Sequence, residues 1–184
     1  MIHHIDLSSV LRRTVCDLYS NLVTRPTGAA VRTAIELQLA ELGGRTLTVI
    51  DFSNVNLLDY SCADEVVAKL LLPYCGEEPP RDAYFVFRGV SEFHLDALDA
   101  VLERHGLALV LQVHDGALQL VGDVSEDERR VWDVLCRLGR ADAPTVAAQV
   151  GDEPATVRRT LDALHRRRVV MRFEDDFVPV GGDR

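Results

Sequence analysis

The hexapeptide Asp59-Tyr60-Ser61-Cys62-Ala63-Asp64 gathers two carboxylates, a phenol, a hydroxyl and a thiol. A hydroxyl on Ser61 or Tyr60 could accept a phosphoryl group, and beside Asp59 and Asp64 the added charge would change what the surface binds. The same residues suit a plainer task. Asp59 or Ser61 ahead of a helix would cap its first N–H groups, worth about 1 kcal/mol. Ser61-x-x-Asp64 also has capping-box spacing. Cys62 could sense oxidants only as a thiolate, and its acidic neighbours oppose that form while a helix start favours it. A second cluster is Arg25, Thr27 and Arg32, where a helix N-terminus flanked by two guanidiniums could hold an anion. No Gly-rich phosphate loop accompanies it, so a capped turn with solvated arginines is the alternative. A third cluster is Thr156, Arg158 and Arg159, with Arg168 and Arg172 further on. Arg158 and Arg159 have the chemistry to reach guanine edges or phosphates, and Arg168 and Arg172 could touch a nucleic-acid backbone. Against this, Glu174-Asp175-Asp176 would repel phosphates.

No nucleophile elbow, HExxH or Walker A pattern occurs. His94, His105, His114 and His165 fall on different expected elements. Cys16, Cys62, Cys75 and Cys136 show neither CxxC nor zinc spacing. We therefore expect no enzyme, no metal and no cofactor, with incidental thiols in a reducing cytosol. The N-terminus lacks the basic head and apolar core of a signal peptide, and no apolar run is long enough to span a membrane.

The elements that must position these residues follow from periodicity. Leu11, Val15, Leu18 and Leu22 predict a helix over 8–22. Thr27 is the expected cap of a second helix, Gly28–Leu42. Thr46–Phe52 and Ala83–Arg88 read as strands buried on both faces. Ser61–Tyr74 reads as the helix between them. Ser91 should cap a helix ending at His105, with Phe93, Leu95, Leu98, Val101 and Leu102 inward. Leu107–Val113 is a third strand, and Asp115-Gly116 turns the chain into a short fourth, Ala117–Val121. This alternation predicts a three-stranded parallel core with an antiparallel edge, its remaining apolar surface covered by the two N-terminal helices.

After Gly122 the pattern becomes helical. Ser125 and Glu128 form a capping box for a helix to Leu138, with Val131, Trp132 (or Val134), Leu135 and Leu138 inward. A short helix, Ala143–Val150, follows. Asp152 should cap a third, reaching Arg167. Val169–Arg172 and Phe177–Val180 then read as a hairpin. Three helices and a hairpin in this order match the winged helix-turn-helix plan.

Charge divides the 184 residues at the same place. Residues 1–124 carry 9 basic and 17 acidic side chains, and residues 125–184 carry 11 and 12. The net charge of -9 thus lies almost wholly in the first part, and argues against a generic nucleic-acid coat. We expect an α/β domain over 1–122 and a winged-helix (α+β) domain over 125–184.

The segment 47–72, LTVIDFSNVNLLDYSCADEVVAKLLL, resembles the central strand, turn and helix of STAS domains, the fold of anti-sigma factor antagonists. Asp51, Val55, Leu58, Asp59 and Ser61 carry the match. The resemblance spans roughly residues 46–113 and is nearest to the STAS-like subgroup that begins with helices. Two positions depart from it. Tyr60 stands where antagonists place the phosphorylated serine, and Cys62 replaces the motif glycine. The resemblance therefore implies a partner-binding domain more firmly than a phosphoswitch. Asp59, Tyr60, Ser61 and Asp64 would lie at that surface, and the partner would be a regulatory protein such as an anti-sigma-type kinase. The expectation is a cytoplasmic, non-enzymatic regulatory protein that could form a homodimer. The alternative is a sequence-specific DNA-binding transcription regulator whose α/β domain senses a ligand or dimerises.

Overall fold

A computed structural model describes residues 2–14 and 21–182. Strand β1 (Ile2–Asp6) runs directly into helix α1 (Leu7–Thr14). A two-residue strand β2 (Asn21–Leu22) precedes α2 (Arg25–Ala40), and β3 (Thr46–Asp51) and β4 (Leu57–Leu58) follow. The next helical stretch is composite: α3 (Tyr60–Ala63), a π turn (Asp64–Ala68), α4 (Lys69–Leu71) and a 3-10 turn (Leu72–Tyr74). Then come β5 (Ala83–Arg88), α5 (Glu92–His105), β6 (Ala108–Gln112) and β7 (Leu118–Gly122).

These strands make a mostly parallel sheet of order β1-β3-β5-β6-β7, in which only β7 is antiparallel. The core holds four parallel strands where three were expected. β1 escapes periodicity because it is an edge strand, with Ile5 its only buried residue and two histidines at its centre. The expected helix over 8–22 is corrected at both ends. α1 stops at Thr14, Val15 and Leu18 lie outside the described residues, and Leu22 sits in β2 opposite Leu58 of β4.

The C-terminal part contains α6 (Glu126–Leu138), β8 (Ala141–Asp142), α7 (Ala143–Val150), α8 (Pro154–Arg166), β9 (Val170–Phe173) and β10 (Asp176–Pro179). Ser125 and Glu128 make both bonds of the capping box, at 2.9 and 3.2 Å. The expected hairpin is a three-stranded sheet, β8-β10-β9, because the two residues before α7 add a strand. Glu153, not Asp152, precedes the first turn of α8, and Asp152 pairs with Arg130 at 2.7 Å. Thr24, not Thr27, occupies the cap position of α2.

The two faces of the main sheet have different covers. Ile50, Phe85, Phe87, Leu109 and Leu111 pack against α1, α2, the composite helix and α5, all in one core. Val49, Tyr84, Val86, Ala108, Val110 and Leu120 point the other way and share a second core with Val131, Trp132, Leu135, Leu161, Val170 and Phe177. The C-terminal part therefore supplies the third layer, correcting the expectation that the N-terminal helices cover what is left. Each large side chain so buried contributes roughly 1.5–3 kcal/mol relative to exposure. Two side chains expected inward are not. Phe93 is 82% exposed because its neighbour His94 takes the inward position, and Leu138 lies at the exposed end of α6.

Polar contacts fasten the same junction. Arg167 bonds Glu128 at 3.2 Å and donates to the Asp123 carbonyl, and Gly76 N–H donates to Arg166 O at 2.9 Å. Arg168 donates through Nε to Tyr74 O at 2.8 Å and through Nη1 to Asp82 at 3.2 Å. Among the described residues no helix is long and apolar enough to cross a membrane.

Candidate functional site

Gly28 lets α2 approach the composite helix closely. A Cβ there would lie 3.0 Å from both Cys62 Cα and Glu65 Cβ. This approach sets Arg25 and Arg32, one face of α2, over the π turn. Asp64 and Glu65 are consecutive, yet both are buried, at 6% and 3% exposure. The wider i→i+5 winding of a π turn, a feature frequent at functional sites, brings both carboxylates to the side that meets α2.

Arg25 Nη1 donates to Asp64 Oδ2 and Glu65 Oε1, each at 2.7 Å. Arg32 Nη2 reaches Glu65 Oε2 at 3.2 Å, while its Nη1 holds Glu36 at 2.9 Å. Lys69, one turn on, also donates to Glu65. His105 Nε2, at the end of α5, donates to Asp64 Oδ1 at 2.7 Å. Burial works to raise both carboxyl pKa values but is outweighed. Bonds from Arg25 and His105 hold Asp64 below its ordinary 3.8, and bonds from Lys69 and Arg25 hold Glu65 below 4.5.

Next to this cluster, Asp59 caps α3. Its Oδ1 accepts from Cys62 N–H and Ser61 Oγ–H, both at 2.8 Å, and its Oδ2 accepts from Thr24 N–H at 3.0 Å. Cys62 Sγ donates to Thr24 O at 2.9 Å, and burial, aided by the Asp59 charge, pushes its pKa up to about 12. A thiolate is thus disfavoured, and with it a redox role. Tyr60 is half-buried, and its hydroxyl accepts from Arg104 Nη1 at 2.9 Å.

Of the residues expected at a partner surface, Asp59 and Ser61 are therefore joined in a cap, Asp64 is the buried anchor of a charge cluster, and Tyr60 reaches the surface. The expected anion cradle is filled from within the chain. Arg25 and Arg32 face Asp64 and Glu65, and Thr27 Oγ1 lies 3.1 Å from Thr24 Oγ1. Two clusters far apart in sequence are one site in space. Sequence reasoning missed Glu65, Lys69, Arg104 and His105. The i,i+4 spacing of Glu65 and Lys69 was a usable signal, but nothing local points from α5 to Asp64.

The third cluster lies on the C-terminal part. Arg158 approaches Asp162 at 3.4 Å and Asp175 at 3.9 Å. Arg172 donates to Glu174 O at 2.9 Å and lies 3.7 Å from Asp162. Arg168, expected to touch a nucleic-acid backbone, is instead interior, at 7% exposure. Thr156 and Arg159 remain exposed and bond each other at 3.2 Å. Among the described residues no three His, Cys, Asp or Glu side chains group to hold a metal ion.

No protein-family model matches the chain, and no curated protein or solved structure is significantly similar to it.

Proposed function

We propose that the chain is a non-enzymatic regulatory protein. Its α/β part, 1–122, is a STAS-like partner-binding domain, and its C-terminal part, 125–184, is a winged helix built onto the open face of the sheet. The observation that carries this reading is the charge cluster. Two buried carboxylates fix the positions of Arg25, which is 48% exposed, and of Lys69. Beside them lies the Tyr60–Arg104 pair. A rigid floor with a charged and aromatic rim presents a preorganised surface, which lowers the ordering cost of binding a protein. By the STAS resemblance the partner is an anti-sigma-type kinase in the cytoplasm.

The test is site-specific photo-crosslinking. A photoreactive phenylalanine analogue in place of Tyr60 should capture one ATPase-type regulatory protein, and Arg104→Glu should abolish that capture. Crosslinks to the same protein from position 159 but not from position 60 would move the interface to α8. Capture from neither position would sink the reading.

A DNA-binding regulator is the second reading, favoured by the exposure of Thr156 and Arg159 on α8. It requires retention on DNA with a steep salt dependence that Thr156→Ala/Arg159→Ala removes.

A further inference from the structure

We propose that the cleft where the two parts of the chain meet binds a phosphoryl group carried by a small soluble molecule. The cleft has a volume of about 540 Å³, within the range of roughly 300–1,000 Å³ typical of small-molecule sites. Arg45, Asp82 and Tyr84 line it from the α/β side, and His165, Arg168 and Arg172 line it from the other. The site is separate from the Tyr60–Arg104 surface and does not depend on the reading given for it.

Three features mark the cleft as built to hold something. First, Arg168 is a buried guanidinium, placed there by the Schellman turn that ends α8, in which its own backbone is left-handed at φ 62°. Second, Asp82 alone serves two guanidiniums, taking Arg45 Nε at 2.6 Å and Arg168 Nη1 at 3.2 Å. The Nη groups of Arg45 and Nη2 of Arg168 have no hydrogen-bond acceptor among the described residues. Third, the Tyr84 hydroxyl is fully buried beside the Asp82 carboxylate without a well-formed hydrogen bond to it. Burial, with the charge of Asp82 nearby, pushes this phenol up to about 12, so it stays protonated.

The unfilled guanidinium groups are all donors. An occupant must therefore bring acceptor oxygens, and the guanidinium fork matches a phosphoryl group. Size and charge narrow the class. Glu77 and Glu174 also line the cleft, so with Asp82 three carboxylates stand against Arg45, Arg81, Arg168 and Arg172. That near-balance disfavours a polyanion such as nucleic acid and suits one small anionic group. His165 offers no extra charge, since burial lowers its pKa and its Nδ1–H donates to Val170 O at 3.0 Å. An occupant held by arginines of both parts would tighten their junction.

The test is thermal unfolding and titration calorimetry of the full chain with inorganic phosphate, against sodium chloride and sodium acetate at equal ionic strength. Phosphate should raise the melting temperature saturably. Arg45→Gln and Arg172→Gln should each weaken its binding about tenfold, the loss of one charge-assisted bond. Tyr84→Phe, which keeps the ring, should weaken it about fivefold. Arg12→Gln/Arg13→Gln, on α1, should leave it unchanged. If Arg45→Gln fails to fold, the half-exposed Arg172→Gln decides. Phosphate acting no more strongly than chloride would overturn the site, as would an effect that Arg172→Gln leaves intact. Equal stabilisation by acetate would overturn the phosphoryl assignment.

Discussion

Glu65 accepts from Arg25, Arg32 and Lys69, and Asp64 from Arg25 and His105, so removing either carboxylate leaves partly exposed cations without their partner. Breaking such a pair leaves the cations short of a partner, but their partial exposure lets water screen what remains. Glu65→Ala should therefore cost about 2 kcal/mol, between the values for exposed and buried pairs, read as a lower urea midpoint with an unchanged m-value. Asp59→Ala, the loss of a cap, should cost only about 1 kcal/mol. The pH dependence has a definite sign. Both cluster carboxyls titrate below their ordinary 3.8 and 4.5. Their stabilisation is complete above those values and is lost as pH falls through the depressed ones. His94 and His165 titrate below their ordinary 6.5 because burial disfavours the imidazolium. Each contributes stability that is full above 6.5 and declines as pH falls through the lowered value. His94 shows why: its Nδ1 accepts from Ser91 N–H at 3.2 Å, while its Nε2–H donates to Val55 O at 3.0 Å. Protonating Nδ1 would break the first bond. Melting temperature against pH should thus fall in two stages. His94→Gln/His165→Gln should flatten the upper stage, and Asp64→Asn/Glu65→Gln should reduce the lower, to which Asp6, Asp51, Asp59 and Asp82 also contribute.

Glycine geometry decides the element scale at two places. Gly28 sets the distance between α2 and the π turn, and Gly28→Ala would press a methyl onto Cys62 and Glu65. Overpacking of this kind costs about 1–3 kcal/mol. Gly89, at φ 67°, lies against the backbone of Ser53, where an added Cβ would come within 2.4 Å of its nitrogen. Gly89→Ala combines left-handed strain with a clash against backbone, so it should lower the melting temperature more than Gly28→Ala. Equal melting temperatures would mean that the β5–α5 loop relaxes freely. The composite helix belongs to this scale too. Its apolar spacing gives the stretch 61–74 as helix, but periodicity cannot show the π turn that turns Asp64 and Glu65 the same way.

At the scale of the molecule, the second face of the sheet fixes cooperativity. Val49, Tyr84, Val86, Val110 and Leu120 are buried only by the C-terminal part. A chain ending at Gly122 would expose them as one apolar patch, and such patches drive aggregation. Residues 1–122 expressed alone should therefore be insoluble or oligomeric by sedimentation. In the full chain the fluorescence of Trp132, the single tryptophan and part of that shared core, should change with the same denaturant midpoint as far-UV circular dichroism. Separate midpoints would mean that the two parts unfold independently.

Local chemistry was enough to place most elements. The capping box at Ser125, the β-branched run of β3, the aromatic run of β5 and the Gly106 stop after α5 act within a few residues, so the sequence by itself determined where those elements begin and end. It also determined the mixed α/β character and the change of pattern after Gly122. What only the tertiary structure decided is which faces meet. Arg25 finds Asp64 and Glu65 across 39 and 40 residues, and Arg168 finds Tyr74 across 94, so charged groups that look solvated in sequence are interior or paired. The physical reason is that a side chain's hydration and charge partners depend on the packing of distant surfaces, whereas caps, turns and periodicity are settled by the backbone nearby.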